Sequence, residues 1–73
     1  MCMKKDSIKT VFAKNVKRIR EERELTQEKL SLLCGLHRAY VNTIERSEPN
    51  VTLETIEKLA ETLGVTWDEL LKP

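Results

Sequence analysis

Apolar residues recur at spacings of three and four through this chain, in five short segments, and that rhythm leaves packed helices as its natural outcome. Ile8, Val11, Phe12, Val16 and Ile19 make the inward stripe of a first helix, with Asp6 or Ser7 placed to cap it. Thr26 precedes Gln27-Glu28-Lys29-Leu30, where its hydroxyl can accept from an otherwise unpaired backbone N–H. That second helix carries Leu30, Leu33 and Cys34 inward and stops at Gly35 in a left-handed conformation. Leu36 to Arg46 forms a third amphipathic helix with Leu36, Val41 and Ile44 on its apolar side, broken by the turn-forming run Ser47-Glu48-Pro49-Asn50. A fourth follows Thr52, with Leu53, Ile56, Leu59, Ala60 and Leu63 inward and Gly64 as its stop. The fifth is short: Thr66 and Glu69 make a Thr-x-x-Glu capping box, and Trp67, Leu70 and Leu71 supply the apolar face. The expected fold class is therefore all-α, with five helices in a single domain over residues 7–73 and a flexible tail over residues 1–6.

Size and composition narrow the function. A chain of 73 residues buries roughly 60% of its unfolded surface, which leaves no room for a second subdomain or a deep substrate cleft. Aromatic residues at 4% argue against a stacking platform for single-stranded nucleic acid. Cys2 and Cys34 are too few for a disulfide scaffold, and with His37 they cannot complete a tetrahedral zinc site within one chain, so no metal or cofactor is expected. Both read as free thiols, Cys34 as a small apolar filler. The sequence pairs no Ser or Cys with a His and has no phosphate-cradling glycine loop, which argues against an enzyme. No apolar run approaches the roughly 20 residues of a membrane span, and Met1 to Thr10 lacks a secretory signal's apolar stretch. The cytoplasm is the expected location.

The formal charge of +1 names no partner, but its distribution does more. Residues 1–24 carry eight basic and four acidic side chains, residues 25–50 three of each, and residues 51–73 two basic and five acidic. A basic front suits an anionic surface, and an acidic back suits solubility or a protein contact.

Between Gln27 and Arg46 two short helices meet across a connection around Gly35, with Leu30, Cys34, Leu36, Val41 and Ile44 placed to lock their angle. This resembles the helix-turn-helix of the Cro and phage-repressor type, the XRE-like regulators, through pieces lying in order over residues 13–71. They are Val16-x-x-Ile19-Arg20, Leu25-Thr26-Gln27-Glu28-x-Leu30, Gly35-Leu36-x-Arg38-x-Tyr40-Val41-x-x-Ile44-Glu45-Arg46 and Leu53-x-x-Ile56-x-x-Leu59-Ala60-x-x-Leu63-Gly64-Val65. Within that family the segment Arg38 to Arg46, together with Asn50, is most similar to the small controller proteins of restriction–modification systems. Ser31 stands where the family usually places Ala, which suits a hydroxyl bonded back to a helix carbonyl. Glu48-Pro49 stands where related loops often carry a basic residue or glycine.

With Leu36, Val41 and Ile44 inward, Arg38, Asn42 and Arg46 follow at successive four-residue steps on the outside, flanked by Ala39 and Thr43. Such a ridge fits a major groove. Arg38 can donate to guanine O6 and N7, Thr43 can meet a thymine methyl or a base edge, Asn42 can reach an adenine or a phosphate, and Ala39 keeps the approach close. Gln27, at a helix N-terminus beside Thr26, suits a DNA phosphate and only the backbone. Tyr40 either reaches a phosphate with its hydroxyl or only packs its ring; His37, Arg46 and Asn50 complete the candidate phosphate contacts.

The resemblance implies an ion pair between Arg20 and Glu45 that fixes geometry, and a symmetric dimer through Val65, Trp67, Leu70 and Leu71. The alternative for Trp67 is to cap its own core. A dimer reads a palindromic operator with half-sites roughly 34 Å apart. The leading expectation is thus a homodimeric regulator of double-stranded DNA, repressing by blocking RNA polymerase or activating by touching it. The competing expectation is an antitoxin-like module that binds DNA together with a toxin.

Overall fold

The computed structural model describes residues 7–47 and 51–73. Over these it is helical without strands: α1 (Ile8–Glu22), α2 (Gln27–Cys34), α3 (Arg38–Glu45), α4 (Leu53–Leu63) and α5 (Trp67–Leu71). The expected tail over residues 1–6, Asp6 as a cap, the Glu48-Pro49 loop and Asn50 lie outside the described residues.

Three helices start where a short polar side chain satisfies an open backbone N–H. Ser7 Oγ accepts from Thr10 N, Thr26 Oγ1 from Lys29 N and Thr52 Oγ1 from Thr55 N. The Glu69 carboxylate accepts from the Thr66 N–H at 2.9 Å, the reaching-back arm of the capping box. The third helix begins at Arg38 rather than Leu36, because His37 occupies the cap position: its Nδ1 accepts from the Ala39 N–H at 3.1 Å. Leu36 packs against the core from the turn.

Helix ends use the left-handed backbone. Gly35 (φ 76°) and Gly64 (φ 72°) adopt it without a Cβ penalty. The α1–α2 turn does the same with Glu24 (φ 58°), where Leu25 N donates to Arg20 O and Glu24 N to Glu21 O. Arg23 reinforces another end: its Nε donates to Leu63 O, the last carbonyl of α4, at 2.7 Å.

Val16, Leu30, Val41, Ile44, Leu59, Leu63 and Leu70 are the largest fully buried side chains, and they draw all five helices onto one core. Three apolar residues expected inside are instead at the surface: Ile8 (59% exposed), Leu33 (56%) and Leu53 (83%). Ile8 and Leu53 are the first residues of their helices and overhang the body. On α2 the inward stripe runs through Leu30, Ser31 and Cys34, which leaves Leu33 roughly 100° round the axis. Ser31 takes the inward place because its hydroxyl donates to Glu28 O at 2.6 Å, so no polar group is stranded. Cys34 is buried as expected, and burial pushes its thiol pKa up.

Asn15 is a buried polar residue that the sequence reading passed over. Its Nδ2 donates to Leu70 O at 2.8 Å and Lys72 O at 2.9 Å, tying the end of α5 to α1. The signal was present: Asn15 stands three residues after Phe12 and four before Ile19, on the apolar stripe itself. No helix of the described residues is long and apolar enough to cross a membrane.

Candidate nucleic-acid interface

The α2–α3 unit sets the outward ridge. Val41 and Ile44 are buried, and Tyr40 packs half-buried against the core. Residues one or two positions away therefore turn outward on a helix of eight residues. Gln27, His37, Arg38, Ala39, Asn42, Thr43 and Arg46 line one open concavity of about 540 Å³. Arg38, Ala39 and Arg46 are exposed on it, and Asn42 and Thr43 are half-exposed. Thr26 stands exposed at the cap of α2, while Tyr40 lies off the concavity toward the core.

Behind this face lies the expected ion pair. Arg20 Nε and Nη2 grip the two Glu45 oxygens at 2.7 and 3.1 Å, and Nη1 donates to Leu25 O at 2.7 Å. The side chains are 11% and 4% exposed, and the hydrogen bond to Glu45 raises the pKa of Arg20 further above its usual value. Bidentate geometry in so dry a place fixes the end of α3 against α1.

Gln27, expected to hold a phosphate together with Thr26, has both ends of its amide bonded within the chain. Its Nε2 donates to Glu45 Oε1 at 3.1 Å, and its Oε1 accepts from Asn42 Nδ2 at 3.1 Å. Asn42 Oδ1 then accepts from Arg46 Nη1 at 3.2 Å. A single hydrogen-bonded line thus runs from α1 to the exposed side of α3. No sequence spacing announces it, because it depends on the angle between α2 and α3. Thr43 donates its hydroxyl to Tyr40 O at 2.8 Å, which ties the Oγ1 back against the helix.

The four residues expected in a dimer contact separate. Leu70 is 0% exposed and belongs to the chain's own core, so it has no surface to offer a partner. Val65 lines a polar hollow with Asn15, Arg18 and Glu69. Trp67 (61% exposed) and Leu71 share an apolar hollow of about 300 Å³ with Leu53 and Ile56.

A helix-turn-helix family model, HTH_3, matches residues 16–70. Control protein C.BamHI of Bacillus amyloliquefaciens is 42% identical over 67 residues, covering 90% of this chain and 83% of that protein. The crystal structure of the hypothetical transcription factor NHTF from Neisseria superposes with a TM-score of 0.90 at 37% identity, covering 100% of this chain and 86% of that one. The restriction-modification controller protein C.Esp1396I, solved as a tetramer in complex with its natural 35 base-pair operator, superposes with a TM-score of 0.79 at 29% identity, covering 93% of this chain and 100% of that one. A family match spanning the whole helix-turn-helix, with relatives alike along most of their length, places this chain in the XRE-type helix-turn-helix family of DNA-binding regulators, close to the restriction–modification controller proteins.

Proposed function

We propose that the chain is a homodimeric, sequence-specific regulator in the cytoplasm, which occupies a palindromic operator in double-stranded DNA and controls a restriction–modification system that includes its own gene. The observation that carries this reading is the outward face of α3, whose polar side chains line one concavity and are braced from behind. Arg38, Ala39, Asn42 and Thr43 are assigned to base edges. Thr26, Gln27, His37, Tyr40, Arg46 and Asn50 are assigned to phosphates. With its hydroxyl proton given to Tyr40 O, Thr43 best offers its methyl group to a thymine methyl.

The second subunit is supported by the apolar residues left uncovered on one face. Leu53, Ile56, Trp67 and Leu71 share one hollow, and Ile8 joins Ile56 and Leu71 in the neighbouring one. A two-fold axis through that face sets two recognition helices on successive turns of the groove. The operator complex of C.Esp1396I supports operator occupancy as the mode of action, and from it RNA polymerase is blocked or contacted. Footprinting on the DNA flanking the gene tests the proposal. Protection of two symmetric half-sites is expected, with affinity falling on the order of 10³-fold between 50 and 200 mM salt. Salt-insensitive binding, or no protection of flanking DNA, overturns it.

A further inference from the structure

Arg20 holds both oxygens of Glu45, so the carboxylate is fixed in place and can only accept hydrogen bonds. The Gln27 amide that meets Glu45 must therefore present its NH2 there, which turns Oε1 of Gln27 to Asn42. Asn42 must in turn present its own NH2 to Gln27, leaving Oδ1 to the guanidinium of Arg46. Every link donates toward Glu45. Flipping either amide would set donor against donor or acceptor against acceptor.

Asparagine recognises adenine by using both ends of its amide at once, on N6 and N7. Within the relay Asn42 has its oxygen on Arg46 and one amide proton on Gln27. It has one amide proton and one oxygen lone pair left for a base edge, and the relay fixes which way each of them points. We propose that Glu45 is a positioning residue for base readout: acting through Gln27, it fixes the sense of the relay and so the direction in which Asn42 presents its remaining amide proton and oxygen lone pair to the base pair it faces. The inference rests on the proposed seating of α3 in the major groove.

Selection from a randomised operator pool tests it on the full chain, with circular dichroism as the folding control. Asn42→Ala locates the base pair concerned. Gln27→Met keeps the side-chain length and the Arg20–Glu45 pair but releases Asn42. It is expected to change base preference at that pair by about fivefold or more, with preference at other positions unchanged. Glu45→Gln should move the same position, and should leave base preference unmoved when Asn42→Ala is already present. A merely structural role lowers affinity in both backgrounds without moving any preference. A Gln27→Met variant that leaves preference at that pair unmoved overturns the positioning role, and uniform weakening alone leaves Gln27 only its phosphate contact. Failure of the regulator reading shows separately: the wild-type chain then selects no sequence, and the positioning role falls with it.

Discussion

On the α3 side Gln27, Asn42, Glu45 and Arg46 each hold hydrogen bonds within the chain, whereas on the α4–α5 side Leu53, Trp67 and Leu71 ring a hollow that no described residue fills. The contrast follows from what each kind of group requires. A polar side chain left without a partner near the core costs about 1–3 kcal/mol, so a polar face must be completed before any ligand arrives. An apolar face can stay exposed at the cost of contact with water, which a second surface removes by covering it. One face is preorganised within a single chain, and in the proposed dimer the other is covered by a second copy.

The largest expected effect breaks the polar side. Glu45→Ala strands Arg20, whose side chain is 11% exposed, and should lower stability by about 3–5 kcal/mol in urea denaturation. A loss below about 1 kcal/mol would mean the pair behaves as a surface contact. Next comes the apolar side. Leu71→Glu should sediment as a folded monomer and bind the operator on the order of 10²-fold more weakly, since the two half-sites are no longer held together. If it stays dimeric at micromolar concentration, the interface lies away from the α4–α5 hollow.

Arg38→Ala sharpens the comparison within the polar side. Arg38 is exposed at the start of α3, and its loss should cost about 1–3 kcal/mol per half-site and relax preference at one guanine, read by binding selection. Retention of full base preference would move readout elsewhere on α3. Asn15→Leu probes the join between the two sides. It leaves the carbonyls of Leu70 and Lys72 without their donor, for about 1–3 kcal/mol of stability, with faster amide exchange in α5 as the local signature. The smallest effect has the opposite sign. Glu24→Gly relieves a left-handed residue at φ 58° and should raise stability by up to about 1 kcal/mol after the added unfolded-state freedom of glycine is offset. A thermal melting midpoint that stays level or falls would mean that position 24 carries no backbone strain.

Much of this was legible because helices impose local geometry. The caps at Thr26, Thr52 and Thr66, the stops at Gly35 and Gly64, and the ridge of Arg38, Asn42 and Arg46 depend on neighbours within four residues. Periodicity misled at helix starts: Ile8 and Leu53 fit their stripes, yet a first-turn residue on a short helix has no body beneath it. Other features escaped because they join distant segments. The tie from Asn15 spans 55 residues to Leu70, and the Gln27–Asn42 link spans 15, across two helices whose angle only the packed core defines.

Asn15 and Arg20 lie on the same helix, five positions apart, so the tie to α5 and the grip on Glu45 are about 8 Å from each other along α1. In the proposed dimer α1 is then a rigid strut, with the two-fold axis at one joint and the recognition helix at the other. An added base pair between the half-sites shifts the second target by about 3.4 Å and turns it by roughly 35°, a displacement that a strut pinned at both joints does not follow. In that dimer, operator spacing tolerance is a mechanical property, set by the stiffness of one helix and the two sets of hydrogen bonds that pin it.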